Sequence, residues 1–196
     1  MKQVLLVALC LAFVCGTFAA VLPDTNDAEE CGWILHMHED FQGDSAKKYG
    51  NSITTCGGNK IWGGYCKFGR GEVNTSFELL PEHTHLRLKA NFYFIDAWDG
   101  ESGYAMIDGD VVWSQISFSG GSHGVNVCGA RNAADEIAQI VDVVVPHTSS
   151  TVVVTFGSNL NEDPCNESWG VSNIMIYVCP CDECGEYEDV SARRRR

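Results

Sequence analysis

Positive charge is scarce in this chain. Its 196 residues carry 13 Lys and Arg against 26 Asp and Glu, a formal net charge of −13. Proteins that hold nucleic acid neutralise its phosphates with Lys and Arg, so nucleic acid is not expected as a partner. Long apolar runs are also missing. The only one covers residues 4–15. It is shorter than the roughly 20 apolar residues a bilayer requires, and no membrane span is expected. Helical periodicity is absent except over residues 130–140, where a single turn is the most the pattern supports. There is no internal repeat and no low-complexity tract. His-Glu-x-x-His does not occur, so there is no motif for a zinc protease. The twelve-residue EF-hand ligand pattern is missing too.

The amino terminus carries what a secreted chain needs. Lys2 precedes the apolar run, and Gly16, Thr17, Ala19 and Ala20 follow it. That is the layout of a cleaved signal peptide, with cleavage expected after Ala19. Residues 20–30 are a polar, acidic lead-in without periodicity. A single domain is expected over 31–179, followed by a cysteine-containing acidic tail over 180–196 that ends in Arg193-Arg194-Arg195-Arg196. Removing Lys2 with the signal takes the net charge from −13 to −14. Such acidity suits solubility and hard cations such as calcium.

Of ten cysteines, Cys10 and Cys15 leave with the signal. The remaining eight are Cys31, Cys56, Cys66, Cys128, Cys165, Cys179, Cys181 and Cys184. An even count in a secreted chain reads as disulfides. Eight cysteines allow 105 full pairings, so connectivity stays open. The short Gly-rich loop between Cys56 and Cys66 favours that pair. Cys128 with Cys165, and Cys31 with Cys179 or Cys181, are further expectations. Asn74-Thr75-Ser76 and Asn166-Glu167-Ser168 are N-glycosylation sequons at Asn74 and Asn166.

Period-two alternation dominates the domain. In Leu86-Arg87-Leu88-Lys89-Ala90-Asn91-Phe92-Tyr93-Phe94 the even positions are apolar and most odd ones polar, which predicts a half-buried strand. Arg87, Lys89, Asn91 and Tyr93 are expected on its open face. Residues 33–38 alternate similarly. Asp108-Gly109 between two apolar runs is a hairpin signal. β-branched runs over 137–145 and 151–156, and a last strand over 174–178, complete the pattern. Seven to nine short strands separated by Gly, Asp and Asn clusters predict an all-β chain, an antiparallel two-sheet β-sandwich with disulfides.

Several motifs together carry a resemblance. Asp40-Phe41-Gln42-Gly43 resembles a "DFE-G" opening. Phe68-Gly69-Arg70-Gly71 and Leu80-Pro81-Glu82-His83 follow it. Ile95-Asp96-Ala97-Trp98-Asp99-Gly100-Glu101 is similar to "IDSWDGE", and Glu167-Ser168-Trp169-Gly170-Val171-Ser172-Asn173-Ile174 to "ESWGIDNV". In this order they resemble extracellular jelly-roll or concanavalin-like (MAM-like) β-sandwich modules of bacterial and protist secreted and surface proteins. The resemblance implies a jelly roll in which the first and last strands are neighbours and acids on them share a cation. This chain has Gln42 and Ser172 at those two acid positions, a departure that speaks against calcium there. Fold analogy is silent on ligand.

Four constellations bear on chemistry. Asp96, Asp99 and Glu101 lie in a tight turn, with Asp108 and Asp110 at the next hairpin, and calcium takes such loop carboxylates. The simpler reading is a structural turn in which Asp96 caps backbone amides and Trp98 packs in the core. Two of these acids as a glycosidase pair would have to face each other across a sugar-sized cleft. His36 and His38 share a strand face, and with His83 and His85 would make a zinc site, although four separate histidines are expected. Cys179-x-Cys181-x-x-Cys184 has zinc or redox spacing, but behind a signal peptide it reads as disulfides. Trp62, Tyr65 and Trp98 are candidates for stacking on sugar rings. The expected function is therefore a secreted, non-catalytic binding or structural module, with glycans or extracellular proteins as partners. A carbohydrate-active hydrolase is the alternative, and a structural surface-coat component a further one.

Overall fold

The computed structural model describes residues 32–118, 125–130, 136–182 and 184. The expected signal segment and lead-in, Cys31 and the terminal arginines lie outside the described residues, as does the centre of the helical candidate at 131–135.

Ten strands are present among the described residues. They are β1 (Ile34–Glu39), β2 (Ile53–Cys56), β3 (Asn59–Phe68), β4 (Gly71–Glu78) and β5 (His85–Asp96), then β6 (Asp99–Ile107), β7 (Asp110–Phe118), β8 (Ile137–Pro146), β9 (Thr151–Ser158) and β10 (Glu167–Cys179). A 3₁₀ segment over Ser45–Ser52 joins β1 to β2. One sheet runs β2-β3-β10-β5-β8, with β1 also paired to β10; the other runs β4-β9-β6-β7. Every pairing is antiparallel. This is the two-sheet β-sandwich that the alternation predicts, and the first strand does lie beside the last.

β10 organises the larger sheet. One edge pairs with β5 from Glu167↔Asp96 to Cys179↔His85. The other pairs with β3 around Gly170↔Gly63 and with β1 from Glu39↔Ile174 to Ile34↔Val178. Sequence alternation marks only its last five residues, because the Glu-Ser-Trp-Gly start is buried on both faces and so loses the two-residue period. β3 is hidden for a related reason. Gly63 and Gly64, both at positive φ, interrupt its apolar pattern, and a Cβ on Gly63 would overlap the Phe68 ring and the Trp169 carbonyl. Only glycine lets β10 approach so closely.

The inter-sheet core contains Leu86, Leu88, Ala90, Phe92 and Phe94 from β5, as alternation predicts. Phe92 stacks on Trp169 at 5.3 Å and also meets Trp113. The open face of β5 is corrected at its end. Tyr93 is buried with Ile95, Ile61 and Cys56 in a second small cluster against which Cys128 packs. The β2–β3 hairpin and the Cys56–Cys128 disulfide bring cover to that face, which local alternation does not register.

Disulfides join Cys56 to Cys128, Cys66 to Cys165 and Cys179 to Cys184, and Cys181 is also disulfide-bonded. The expected pairs Cys56–Cys66 and Cys128–Cys165 are both overturned, and Cys179 is not a partner of Cys31. Cys56 and Cys66 sit at opposite ends of the hairpin arm that β3 forms, so each reaches a loop instead of the other. The Asp108-Gly109 turn has both residues at positive φ, 51° and 93°, and closes the β6–β7 hairpin as a two-residue turn should.

Candidate functional site

Two places concentrate polar chemistry. The first is the end of the sandwich where β5 passes into β6 and β10 begins. Asp96, Asp99 and Glu101 come from one turn, but the structure does not aim them at one point. Asp96, 1% exposed, accepts from the Ala130 N–H at 3.0 Å. Beside it Glu136 accepts from the N–H groups of Val127 and Gly129 at 2.5 and 2.7 Å. A Cβ on Gly129 would overlap both carboxylates. Burial pushes the Asp96 carboxyl up; the Ala130 bond opposes this and the Glu136 charge adds to it. Asp96 and Glu136 are thus anchors for the 125–130 loop. Trp98 is fully buried and its Nε1 donates to the Ser168 carbonyl.

Asp99 and Glu101 instead meet Glu167, the first residue of β10. One carboxylate oxygen from each of the three lies within 4.8 Å of the others. Glu101 accepts from Asn161 Nδ2 at 2.6 Å and from the Asp99 N–H at 2.9 Å. Burial pushes the Glu101 carboxyl up, but the backbone amides of Asp99, Glu101 and Gly100 and the Asp99 carboxyl hold it below its ordinary range. Asp99 is raised by its hydrogen bond to Glu101 and by that neighbour's charge. Glu167 is raised by burial first, then by Glu101, Glu162 and Asp99. Glu167 stands in the quoted "ESWG" motif, yet nothing there marks it as a partner of Asp99 some seventy residues earlier; an acid opening an otherwise buried strand is the one signal. Asp108 and Asp110 are not part of this group. They lie at the far end of β6, about 25–30 Å away along a nine-residue strand.

The second place is a depression of about 430 Å³ where the chain crosses from β3 to β4. Its lining is Lys48, Tyr49 and Ser52 of the 3₁₀ segment, Trp62 and Phe68 of β3, and Val73, Asn74, Thr75 and Ser76 of β4. Tyr49 and Trp62 stand 4.7 Å apart, and Trp62 meets Phe68 edge-on at 6.0 Å. The Tyr49 hydroxyl reaches Glu39 and Thr75, each at 3.3 Å, and Lys48 Nζ lies 3.4 Å from the same Glu39. Burial raises the Tyr49 hydroxyl, opposed by its bonds to Lys48 and Thr75. No carboxylate lines the depression itself. The sequence gives no sign of this place, because the 3₁₀ segment has no apolar period.

Of the aromatic candidates, Trp98 and Trp62 are core residues and Tyr65 is half-buried. The four paired histidines do not converge. His36 points at the Glu78 carbonyl, His38 at Asn173, His85 at Thr84 and His83 at His147. His147 in turn reaches Asp108 at 3.1 Å. The sulfurs of Cys179, Cys181 and Cys184 cluster, but all three are in disulfides and offer no thiolate to a metal. Both sequon asparagines are exposed.

No family model and no curated protein sequence matches the chain, so the MAM-like resemblance rests on its own motifs. Among solved structures, the chain is similar to dimeric latent PorU from Porphyromonas gingivalis at 10% identity and TM-score 0.39, over 58% of this chain and 11% of that one. It is similar to the C-terminal CBM6 of LamC, a marine laminarinase from Zobellia galactanivorans, at 14% identity and TM-score 0.35, over 72% and 91% of the two chains. A carbohydrate-binding module CBM36, in complex with calcium and xylotriose, matches at 10% identity and TM-score 0.31, over 76% and 95%. The chain thus spans about a tenth of the length of PorU. Likenesses this distant leave the function to be read from the chain's own residues.

Proposed function

We propose that the chain is a secreted, non-catalytic recognition module, and that the depression between β3 and β4 takes a sugar. The observation that carries this is the lining. Three aromatic rings, one Lys, two Ser, one Thr and one Asn surround about 430 Å³, with no Asp or Glu among them. Binding sites combine an apolar floor with a few convergent polar groups, and sugars present both C–H faces and hydroxyls. Glycoside hydrolysis needs two carboxyl groups flanking the bond, and this lining has none, which favours binding over the hydrolase alternative. The disulfides support secretion, since they persist in oxidising compartments.

The test is a glycan array followed by titration of any hit. Because Asn74 stands at the rim, Asn74→Gln protein is used so that a glycan of the chain's own does not occupy the place. Lys48→Ala and Ser52→Ala should each weaken binding about tenfold, the effect of losing one hydrogen bond to a ligand. Binding that ignores both substitutions, or an array without hits, would reject the depression. Release of reducing ends from a bound polysaccharide would reject the non-catalytic reading.

A further inference from the structure

Glu167 presents an unmet demand. It is 1% exposed, and its Oε2 has no hydrogen-bond partner. A buried carboxylate oxygen left unpaired costs far more than one in water. One backbone hydrogen bond from Asn161 reaches this carboxyl, but the charges that act on it are those of Glu101, Glu162 and Asp99, all acids. No Lys, Arg or His among the described residues forms an ion pair with any of these four. A cation bound among these acids relieves their mutual repulsion and gives the orphan oxygen a partner.

We propose that Asp99, Glu101 and Glu167 bind one calcium ion. The oxygens stand within 4.8 Å of one another. Two oxygens bound to one calcium at 2.3–2.6 Å are at most about 5 Å apart, so one ion reaches all three. The donors are hard carboxylates, which favours calcium over zinc, whose structural sites use Cys and His. Six to eight ligands are required, and Asp99, which is exposed, leaves the solvent side open for water. The ion would tie the start of β6 to the start of β10, which lie in different sheets. Its place is neither the three-residue turn cluster that the sequence suggests, since Asp96 faces the 125–130 loop, nor the first-and-last-strand position that the MAM-like resemblance implies. It is independent of the sugar reading, since it uses no residue of the depression.

Thermal melts in millimolar calcium against chelator test it, with calorimetric titration for stoichiometry. At a tenfold excess over Kd, a ligand specific for the native state should raise Tm by about 3–6 °C in a domain of this size. Asp99→Asn and Glu167→Gln should abolish the shift, and Asp44→Asn, an exposed acid elsewhere, should keep it. In chelator, Glu167→Gln should melt no lower than the parent. No shift and no heat up to 10 mM calcium, on the order of ten times the weakest affinity of extracellular modules, would overturn the proposal. So would a shift that survives both substitutions, or a larger shift with magnesium. If Glu167→Gln does not fold, Asp99→Asn decides, because its exposed side chain does not hold the core together.

Discussion

At the scale of single residues, β5 gives a sharp test of which face is buried. Ala90 is 3% exposed at the centre of the core face, and Lys89 beside it points outward to Asp142 at 3.6 Å. Ala90→Asp buries an unpaired carboxylate and should cost at least about 3 kcal/mol, a large part of a domain's stability. Lys89→Asp should be mild, about 1 kcal/mol, the loss coming from two like charges placed directly opposite on β5 and β8. Urea unfolding of the two variants checks this; equal losses would contradict the burial. These faces were legible in the sequence because alternation over 86–94 is a local signal. Tyr93 was not, since what covers it arrives from β3 and Cys128 through long-range contacts. The same limit hid Glu167. Its acidity is plain in the sequence, but its meeting with Asp99 and Glu101 depends on how β10 sits beside β5.

At the scale of elements, the β5–β8 pair carries one well-formed ion pair. Arg87 grips Asp142 with Nε at 2.6 Å and a second guanidinium nitrogen at 2.7 Å. The Arg87 bond holds the Asp142 carboxyl below its ordinary range, burial opposes this, and the charges of Arg87 and Lys89 reinforce the lowering. A carboxyl with a lowered folded pKa stabilises the fold above its ordinary pKa, and that contribution is lost as pH falls through the folded value. The pair is partly exposed, so its worth is about 0.5–1 kcal/mol at neutral pH. Asp142→Asn should therefore lower the urea midpoint at pH 7 and match the parent near pH 2–3. A difference that persists in acid would mean that packing, not charge, is responsible. The hairpin at Asp108-Gly109 and the runs of β8 and β9 were also readable locally. The 3₁₀ segment, β2, β3 and β4 were not, because glycines and short polar stretches leave no period to count.

At the scale of the molecule, the disulfides matter most. Cys56–Cys128 and Cys66–Cys165 close loops with separations of 72 and 99 residues. Cross-links of that length remove substantial freedom from the unfolded chain, and replacing both Cys66 and Cys165 by Ser should cost about 2–5 kcal/mol. Proteolysis without reduction should release peptides joining 56 to 128 and 66 to 165; a peptide joining 56 to 66 would refute the arrangement. The two-sheet architecture was legible in the sequence and the cross-linking was not. A short loop favours a pair by proximity along the chain, whereas the native pairs are set by where β2 and β3 carry Cys56 and Cys66 against the loops that hold Cys128 and Cys165.

The placement of β10 also governs when the protein can fold. The strand made last is the one that three earlier strands, β1, β3 and β5, must pair with, so the larger sheet stays open during synthesis until residues 167–179 emerge. Until then β1 and β3 lack their common neighbour, and before Cys128 and Cys165 are made Cys56 and Cys66 have only each other nearby, with neither proper partner yet translated. The pairing closest in the chain is the mistake that a growing polypeptide is most exposed to. Folding of this molecule is thus a matter of waiting as much as of attraction, and an oxidant that acts too early, or an isomerase in short supply, would leave a trapped hairpin where the sandwich should close.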